Sequence, residues 1–213
     1  MQNNLKIKVC GMRQQENIEA LTALGPDYMG FIFYSKSPRF AGGFLTPKII
    51  KQIPESIKKT GVFVNLKNQD ILEICKNLSL NTVQLHGKES PEQCRAIKNL
   101  GLEVIKAFSL NSMEEIDQIM AYEEVCDYFL FDTPTRKYGG SGKKFDWSLL
   151  KALPSEKPFF LSGGIEENDA ETLIEDCPVS PFAVDINSKF EIEPGLKNIE
   201  SIERFIKTIR KQS

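Results

Sequence analysis

Two residues that could carry acid–base chemistry each end a short apolar stretch. Cys10 ends "LKIKVC", and Asp132 ends "YFLFD". A thiol and a carboxyl group can both accept or donate a proton during a reaction. Each also has an ordinary structural explanation, because free cysteines often pack as small hydrophobic residues and an aspartate after a strand often caps a turn. Both interpretations stay open on these residues alone.

Polar residues follow other apolar stretches at corresponding places. Arg39 lies in "SKSPRF" beside a proline that stiffens its loop, and a fixed arginine can bind a carboxylate through two parallel hydrogen bonds. Gln84 and His86 alternate in "QLHG", so both side chains would lie on one face of a strand. Loop arginines are mostly solvated, however, and a lone histidine is more often structural. Lys106 in "VIKAF" is a candidate for a Schiff-base lysine or for an internal ion pair.

Two stretches near the C-terminus together predict an anion site. The first, "PFFLSGG", ends in Ser162, Gly163 and Gly164 just before a helical pattern. Glycines leave backbone N–H groups open to an anion, and a helix N-terminus adds a favourable field. The second, "FAVDINS", supplies three polar residues: Asp185, Asn187 and Ser188. Each stretch alone is a weak signal, but at neighbouring strand ends they favour a phosphorylated small-molecule ligand.

The elements that would position these groups alternate along the chain as βα units. Apolar stretches predict eight strands, at 5–10, 28–34, 60–64, 81–86, 103–108, 128–132, 158–162 and 182–187. Helical periodicity predicts eight helices, at 14–24, 46–53, 68–78, 90–100, 112–122, 146–153, 167–176 and 198–211. We therefore expect residues 1–213 to form one α/β domain, a (β/α)8 TIM barrel. An open doubly wound sheet is the alternative, although the first turn, "CGMRQQ", has no GxGxxG.

In a barrel, active groups gather where strands end, because the βα loops form the mouth. Strand parity puts Lys6, Lys8 and Cys10 on one face of the first strand and apolar residues on the other. We expect the thiol to point into the barrel at its mouth. The loop "YGGSGKK" lacks the GxxxxGK[ST] spacing of a P-loop, so we interpret 134–145 as a mobile flap.

Composition excludes several classes of function. The net charge of −2 gives no basic surplus for nucleic acid. No apolar run approaches the roughly 18 residues of a membrane helix, and the N-terminus lacks a signal-peptide core, so we expect a cytoplasmic protein without membrane contact. Five cysteines without CxxC pairs and a single histidine predict neither disulfides nor a metal site. The sequence does not decide between a monomer and a homodimer.

Taken in order, seven segments resemble the motif series of the phosphoribosylanthranilate isomerase family of tryptophan biosynthesis. They are "KVCGMR", "SPRF", "QLHG", "FDT", "YGGSGKKFDW", "LSGGI" and "DINSKFE…PGLK". The resemblance covers about residues 6 to 198. It implies a (β/α)8 barrel without cofactor or metal, and an Amadori rearrangement. In that reaction N-(5-phosphoribosyl)anthranilate becomes 1-(2-carboxyphenylamino)-1-deoxyribulose 5-phosphate.

The resemblance also implies roles for the strand-end residues. Asp132 would be the general acid that protonates the ribose ring oxygen, and Cys10 the general base that removes the C2 proton of the opened iminium. The pKa of the Cys10 thiol would then have to fall. Lys8 could supply the positive potential, unless it pairs with an acid on another strand. Arg39 would bind the anthranilate carboxylate.

The remaining implied contacts surround the substrate. The substrate-binding set is Arg39, Gln84, His86, Ser162, Gly163, Gly164, Asp185, Asn187 and Ser188. Within it, Gln84 and His86 would line the ring pocket and Asp185 would orient a sugar hydroxyl, while backbone N–H groups after the last two strands would bind the phosphate. Some residues depart from the family pattern: Arg13, Phe40, Asn187, Lys189 and Asn198.

Three other functions compete with this one. A phosphosugar aldolase would act through Lys106. A related isomerase of the histidine pathway would want a carboxylate where Cys10 stands. A barrel that only binds a phosphorylated ligand would need neither Cys10 nor Asp132 for its affinity.

Overall fold

The structure is a computed structural model and describes residues 5–109, 116–132, 151 and 155–211. The predicted flap at 134–145 and nearly all of the predicted helix at 146–153 lie outside these residues. Within the described ranges, no helix has both the length and the apolar character needed to cross a membrane.

Eight parallel strands form a closed barrel in chain order. The strands are β1 Lys6–Cys10, β2 Tyr28–Ile32, β3 Lys58–Phe63, β4 Thr82–Leu85, β5 Glu103–Ser109, β6 Tyr128–Asp132, β7 Phe159–Leu161 and β8 Ala183–Ile186. Parallel pairing between β1 and β8 closes the ring, with Ile7 opposite Val184 and Lys8 opposite Asp185. The predicted (β/α)8 barrel is therefore confirmed, and the open sheet is excluded.

Helices cover the outside of the barrel. Those described are α1 Gln15–Leu24, α2 Pro47–Lys51, α3 Asn68–Leu78, α4 Pro91–Lys98, α5 Ile116–Met120, α6 Ala170–Glu175 and α7 Ile199–Lys211. Helix α4 begins after a cap, because the Ser90 hydroxyl accepts a hydrogen bond from the backbone N–H of Gln93 and Pro91 occupies the first turn.

Strand alternation divides the apolar residues into two layers. One face of each strand packs against the helices, as Ile7 and Val9 do in β1. The other face fills the inside of the barrel with a smaller cluster: Tyr28, Ile105, Ala107, Leu130, Phe160 and Ala183. This filled interior forms the floor beneath the residues at the carboxyl-terminal ends of the strands.

Two segments near the C-terminus differ from the prediction. The helix expected at 167–176 is a 3-10 turn, Glu167–Asp169, followed by the short α6. The turn forms because the Asp169 carboxylate accepts a hydrogen bond from the backbone N–H of Glu166 at 2.9 Å. After β8, a second 3-10 turn, Ser188–Phe190, leads into an antiparallel hairpin that the sequence analysis missed: β9 Glu191–Glu193 and β10 Leu196–Lys197.

Candidate active site

A cavity lies at the carboxyl-terminal ends of strands β1 to β4 and β6 to β8. Cys10 at the end of β1 and Asp132 at the end of β6 both line it, as expected from the sequence. Polar residues lie between them: Gln84, His86, Ser162, Asp185 and Asn187. The apolar part of its wall comes from the ends of β2 and β3 and the residues that follow them: Ile32, Tyr34, Val62 and Val64.

The Cys10 thiol is buried against strand β2. A Cβ atom placed on Gly30 would lie 2.7 Å from the Cys10 sulfur, so only glycine leaves room for the thiol there. Burial raises the pKa of the Cys10 thiol, while the positive charges of Lys8 and Lys197 act to lower it. The general-base role implied by the resemblance requires a lowered thiol pKa. In the structure the thiol pKa is raised instead, because desolvation disfavours the thiolate.

A buried ion pair lies next to the thiol. Lys8 Nζ and Asp185 Oδ2 are 2.9 Å apart, and both side chains are almost completely buried. Burial acts to lower the pKa of Lys8, but the Asp185 carboxylate and Cys10 outweigh it and raise the pKa. Of the two roles considered for Lys8, pairing with an acid on another strand is therefore the one observed, and its charge still reaches Cys10.

A chain of contacts connects Gln84 to the candidate general acid. Gln84 Nε2 lies 2.8 Å from His86 Nδ1, and His86 Nε2 lies 3.6 Å from Asp132 Oδ2. An amide nitrogen can only donate, so Nδ1 is the acceptor and the ring proton is on Nε2, facing Asp132. Gln84 and His86 therefore lie on one face of the strand, as their alternation in the sequence predicted.

Arg39 does not itself line this cavity, and its guanidinium is held by Glu191, a residue that was not predicted from the sequence. Its Nε and Nη2 atoms donate to the Glu191 carboxylate at distances of 2.6 to 3.0 Å. Glu191 also accepts from Lys197 Nζ at 2.8 Å, and Lys197 Nζ donates to Asn187 Oδ1 at 2.6 Å. Arg39 is thus 8% exposed and fixed in place, as a carboxylate-binding arginine requires.

The candidate phosphate region lies after β7 and β8. Gly163 and Gly164 both have positive φ angles, 96° and 67°, and Ser188 begins the 3-10 turn after β8. Lys189 Nζ lies 2.7 Å from Glu166 Oε1 and so connects the two loops. Because α6 begins only at Ala170, the helix N-terminus expected directly after the glycines is absent, and the 3-10 turn Glu167–Asp169 lies in its place.

Lys106 is an internal ion-pair partner. Its Nζ atom lies 3.1 Å from Glu89 Oε2 and donates to three backbone carbonyls, those of Leu85, Gly87 and Ala107, at 2.8 to 3.2 Å. A Schiff-base lysine must present an unprotonated, accessible amine. Lys106 is instead buried, and its amine is engaged by Glu89 and the three carbonyls, which argues against the aldolase alternative.

Two of the departures from the family pattern, Arg13 and Asn198, make structural contacts. Arg13 Nη1 donates to the Pro38 carbonyl at 3.0 Å, and its guanidinium lies 5.0 Å from the ring centre of Phe44. Arg13 therefore braces the loop after β2. Asn198 Oδ1 accepts a hydrogen bond from the Ser201 backbone N–H at 3.1 Å and so caps α7.

Glu191 and Lys197 are the site residues that sequence reasoning missed. Both lie in the β9–β10 hairpin, whose alternating "FEIE" before the turn residues "PG" was the available signal. In the described part of the chain, no group of three or more histidine, cysteine, aspartate or glutamate residues could hold a metal ion.

Comparison with known proteins agrees with the motif series. The family described as N-(5'phosphoribosyl)anthranilate (PRA) isomerase matches residues 7–208. The N-(5'-phosphoribosyl)anthranilate isomerase of Parabacteroides distasonis is 44% identical over 204 residues, which cover 95% of this chain and 92% of that protein.

Solved structures of the same family share the fold. A structure of monomers generated from the dimeric isomerase of Thermotoga maritima matches with a TM-score of 0.79 and 32% identity, over 97% of this chain and 99% of that one. A phosphoribosyl anthranilate isomerase in complex with reduced 1-(o-carboxyphenylamino)-1-deoxyribulose 5-phosphate matches with the same TM-score, identity and coverage. The resemblance seen in the motifs is thereby confirmed, and the chain belongs to the N-(5'-phosphoribosyl)anthranilate isomerase family of tryptophan biosynthesis.

Proposed function

We propose that the chain catalyses the Amadori rearrangement of N-(5-phosphoribosyl)anthranilate with Asp132 as general acid and Cys10 as general base. The observation that carries this assignment is the shared cavity, which both residues line from the ends of β1 and β6. A proton donor and a proton acceptor on either side of one bound sugar can act on two of its atoms in turn.

Ring opening is the first step. Asp132 transfers its proton to the ribose ring oxygen, the C1–O bond breaks, and the nitrogen lone pair forms the iminium. His86 supports this step, because its Nε2 proton faces the Asp132 carboxylate that the transfer leaves behind, with the two atoms 3.6 Å apart. Hydrogen-bond donors already aimed at a developing negative charge stabilise the transition state.

Proton removal from C2 is the second step. The Cys10 thiolate takes the C2 proton, the C–H electrons form the C1–C2 double bond, and the iminium becomes a neutral enaminol. The enaminol then tautomerises to the aminoketose. Burial raises the pKa of the Cys10 thiol, and the charges of Lys8 and Lys197 counteract this. The two lysines thus favour the reactive thiolate.

Substrate binding is assigned to the polar residues around the mouth. Arg39 binds the anthranilate carboxylate, and Gln84 and His86 line the ring pocket. Asp185 Oδ1 and Gln84 Oε1 are buried and have no hydrogen-bond partner among the described residues, which suits acceptors for substrate hydroxyl or N–H groups. The phosphate is bound by the turns after β7 and β8, through five residues: Ser162, Gly163, Gly164, Asn187 and Ser188.

The test is turnover by the purified chain, followed through the fluorescence of the anthranilate group. Cys10→Ser and Asp132→Asn should each lower kcat by about 100- to 10,000-fold while the affinity for the reduced product analogue is retained. Cys75→Ser, which changes a buried cysteine in α3, is the matched control and should keep kcat. Unchanged turnover in both site variants would overturn the assignment. Wild-type binding without turnover would instead support the non-catalytic barrel.

Four further assignments, on location, partners, cofactors and oligomeric state, stay predictions. The protein acts in the cytoplasm without membrane or nucleic-acid partners, uses no cofactor, and is a monomer or a homodimer.

A further inference from the structure

A buried ammonium group, that of Lys197, lies near the candidate base, and the proposed mechanism gives it a charge effect on the thiol but no role in substrate binding. The Lys197 side chain is 0% exposed. Its Nζ atom lies 2.6 Å from Asn187 Oδ1, 3.2 Å from the Asn187 carbonyl oxygen and 2.8 Å from Glu191 Oε1. These three acceptors match the three N–H donors of an ammonium group, so its position is fully determined.

The Glu191 carboxylate joins Lys197 to Arg39. It accepts from Lys197 on one side and from Arg39 Nε and Nη2 on the other, and its Oε1 also accepts from the Gly195 backbone N–H at 3.0 Å. One carboxylate therefore lies between two cations. The cluster of Arg39, Glu191 and Lys197 carries one positive charge more than Glu191 neutralises, and a bound carboxylate would balance it.

The same cluster lies against the residue that follows the thiol. A Cβ atom on Gly11 would lie 2.8 Å from Asn187 Oδ1, 2.9 Å from Arg39 Cδ and 3.5 Å from Lys197 Nζ. From the helix layer, Asn17 Oδ1 accepts from the Lys197 backbone N–H at 2.8 Å, and Asn17 Nδ2 donates to the Lys197 carbonyl at 3.0 Å. Helix α1 thus fixes Lys197, and Lys197 in turn fixes the groups around Gly11.

We propose that Lys197 is a positioning residue for recognition of the substrate carboxylate. Through Glu191 it orients the Arg39 guanidinium, and its charge keeps the cluster positive. Without it, Glu191 and Arg39 form a neutral pair, which attracts an anion less strongly. This inference rests on the proposed function, since it concerns the carboxylate of the anthranilate group.

The experiment compares two ligands by calorimetric titration. One is reduced 1-(o-carboxyphenylamino)-1-deoxyribulose 5-phosphate, and the other is the same compound without its carboxyl group. Lys197→Met should weaken binding of the first ligand about tenfold or more, as expected for a disturbed hydrogen bond to a charged group, and leave the second within about threefold. In turnover, KM should rise more than kcat falls. Lys197→Gln, which keeps an N–H donor but removes the charge, should show the same ligand preference.

Lys106→Met is the matched control. Lys106 is also buried and paired with one glutamate, so its loss should cost comparable stability. We expect the control to keep its affinity for both ligands. Equal weakening of both ligands in the Lys197 variants, or no weakening, would overturn the positioning role. Failure of the wild-type chain to turn over the substrate would instead overturn the proposed function, so the two failures are distinguishable.

Discussion

Gly11 determines how closely the groups around the candidate base can approach. Its φ angle is +86°, in the left-handed region that favours glycine. A side chain there would collide with the Asn187 amide and with the Arg39 stem, at 2.8 and 2.9 Å. The residue directly after Cys10 therefore has to lack a side chain if the polar cluster is to lie against the strand end.

Gly11→Ala is expected to damage both stability and activity. The alanine carries the left-handed strain, about 1 kcal/mol, and also displaces Asn187 and Arg39, so kcat/KM should fall at least about tenfold. Gly43→Ala is the matched control, because Gly43 has a φ angle of +85° and nothing within 4 Å of an added Cβ. It should show the strain in urea denaturation while keeping kcat/KM. Equal kcat/KM in the two variants would contradict this account.

The positive charge of Lys8 influences the pKa of the Cys10 thiol. Burial raises the pKa of the Cys10 thiol, and Lys8 acts to lower it. Lys8→Met should therefore raise the thiol pKa further, so that both iodoacetamide labelling and kcat/KM begin to increase at higher pH. Asp185 acts on the thiol in the opposite direction, so adding Asp185→Asn should bring the labelling curve back towards lower pH.

The control for this change lies on the same strand. Lys6 is partly exposed and pairs with Asp27 at 3.0 Å, so Lys6→Met should leave the labelling curve unchanged. A thiol that titrates identically in the wild type and in Lys8→Met would show that the Lys8 charge does not influence it.

At the scale of elements, the sequence predicted which side chains share a face of a strand, because this depends only on the local pattern. Alternation along β1 and β4 placed Cys10 with Lys8 and Gln84 with His86, because side-chain direction in a strand follows parity. It did not predict the Arg39–Glu191 pair, whose members are separated by 152 positions in the chain. The two residues meet only because the barrel closes and the β9–β10 hairpin brings Glu191 to Arg39. Neither event produces a periodic pattern in the nearby sequence.

The helix after β7 is shorter than its sequence pattern predicted. Residues 167–176 have helical periodicity, but the Asp169 side chain hydrogen-bonds to the backbone N–H of Glu166 and tightens the first turn. Short polar side chains that bond to nearby backbone compete with regular helix. The composition of this segment therefore indicated a helix while its local hydrogen bonds favoured a 3-10 turn.

Lys197, in the β9–β10 hairpin, should make the free energy of unfolding increase with pH in the alkaline range. Burial lowers the pKa of Lys197 to about 8, against the opposing influence of Glu191, whereas an unfolded lysine titrates near about 10.4. Between these values the unfolded chain binds more protons, so the Lys197 contribution to the free energy of unfolding increases with pH. From pH 8 to 10 the gain is on the order of 2 kcal/mol.

Urea denaturation of the wild type and of Lys197→Met at several pH values measures this contribution. The groups that face Lys197, namely Glu191, Arg39 and Cys10, are common to both proteins. The stability difference between the two proteins should therefore change in favour of the wild type as the pH rises. A constant difference would place the pKa of Lys197 at its ordinary value.

At the scale of the whole molecule, the inside of the barrel is a separate core from the strand–helix layer. Phe160 is completely buried there, with its ring centre 5.1 Å from that of Tyr28, 5.4 Å from Tyr128 and 5.6 Å from Phe182. The edge-to-face geometry of these contacts adds to their area burial. This aromatic group forms a rigid floor for the site above it.

Phe160→Ala should lower the free energy of unfolding by about 3–5 kcal/mol, because it leaves a cavity that the closed ring of strands cannot collapse to fill. Phe44→Ala is the control: Phe44 is 49% exposed and should cost less than about 1 kcal/mol. Chemical denaturation of both variants measures the difference. Similar losses would indicate that the barrel interior relaxes around the missing ring.

The pairing of the first strand with the last has a consequence during synthesis. β1, which carries Cys10, is made first, whereas Asp185 on β8 and the Lys197 hairpin are made last. A nascent chain on the ribosome therefore carries its thiol beside Lys8 but without Asp185 and Lys197, which also act on the thiol pKa. A chain that stops before β8 cannot close the ring and lacks Asp185, so we expect such a truncated product to be inert rather than partly active.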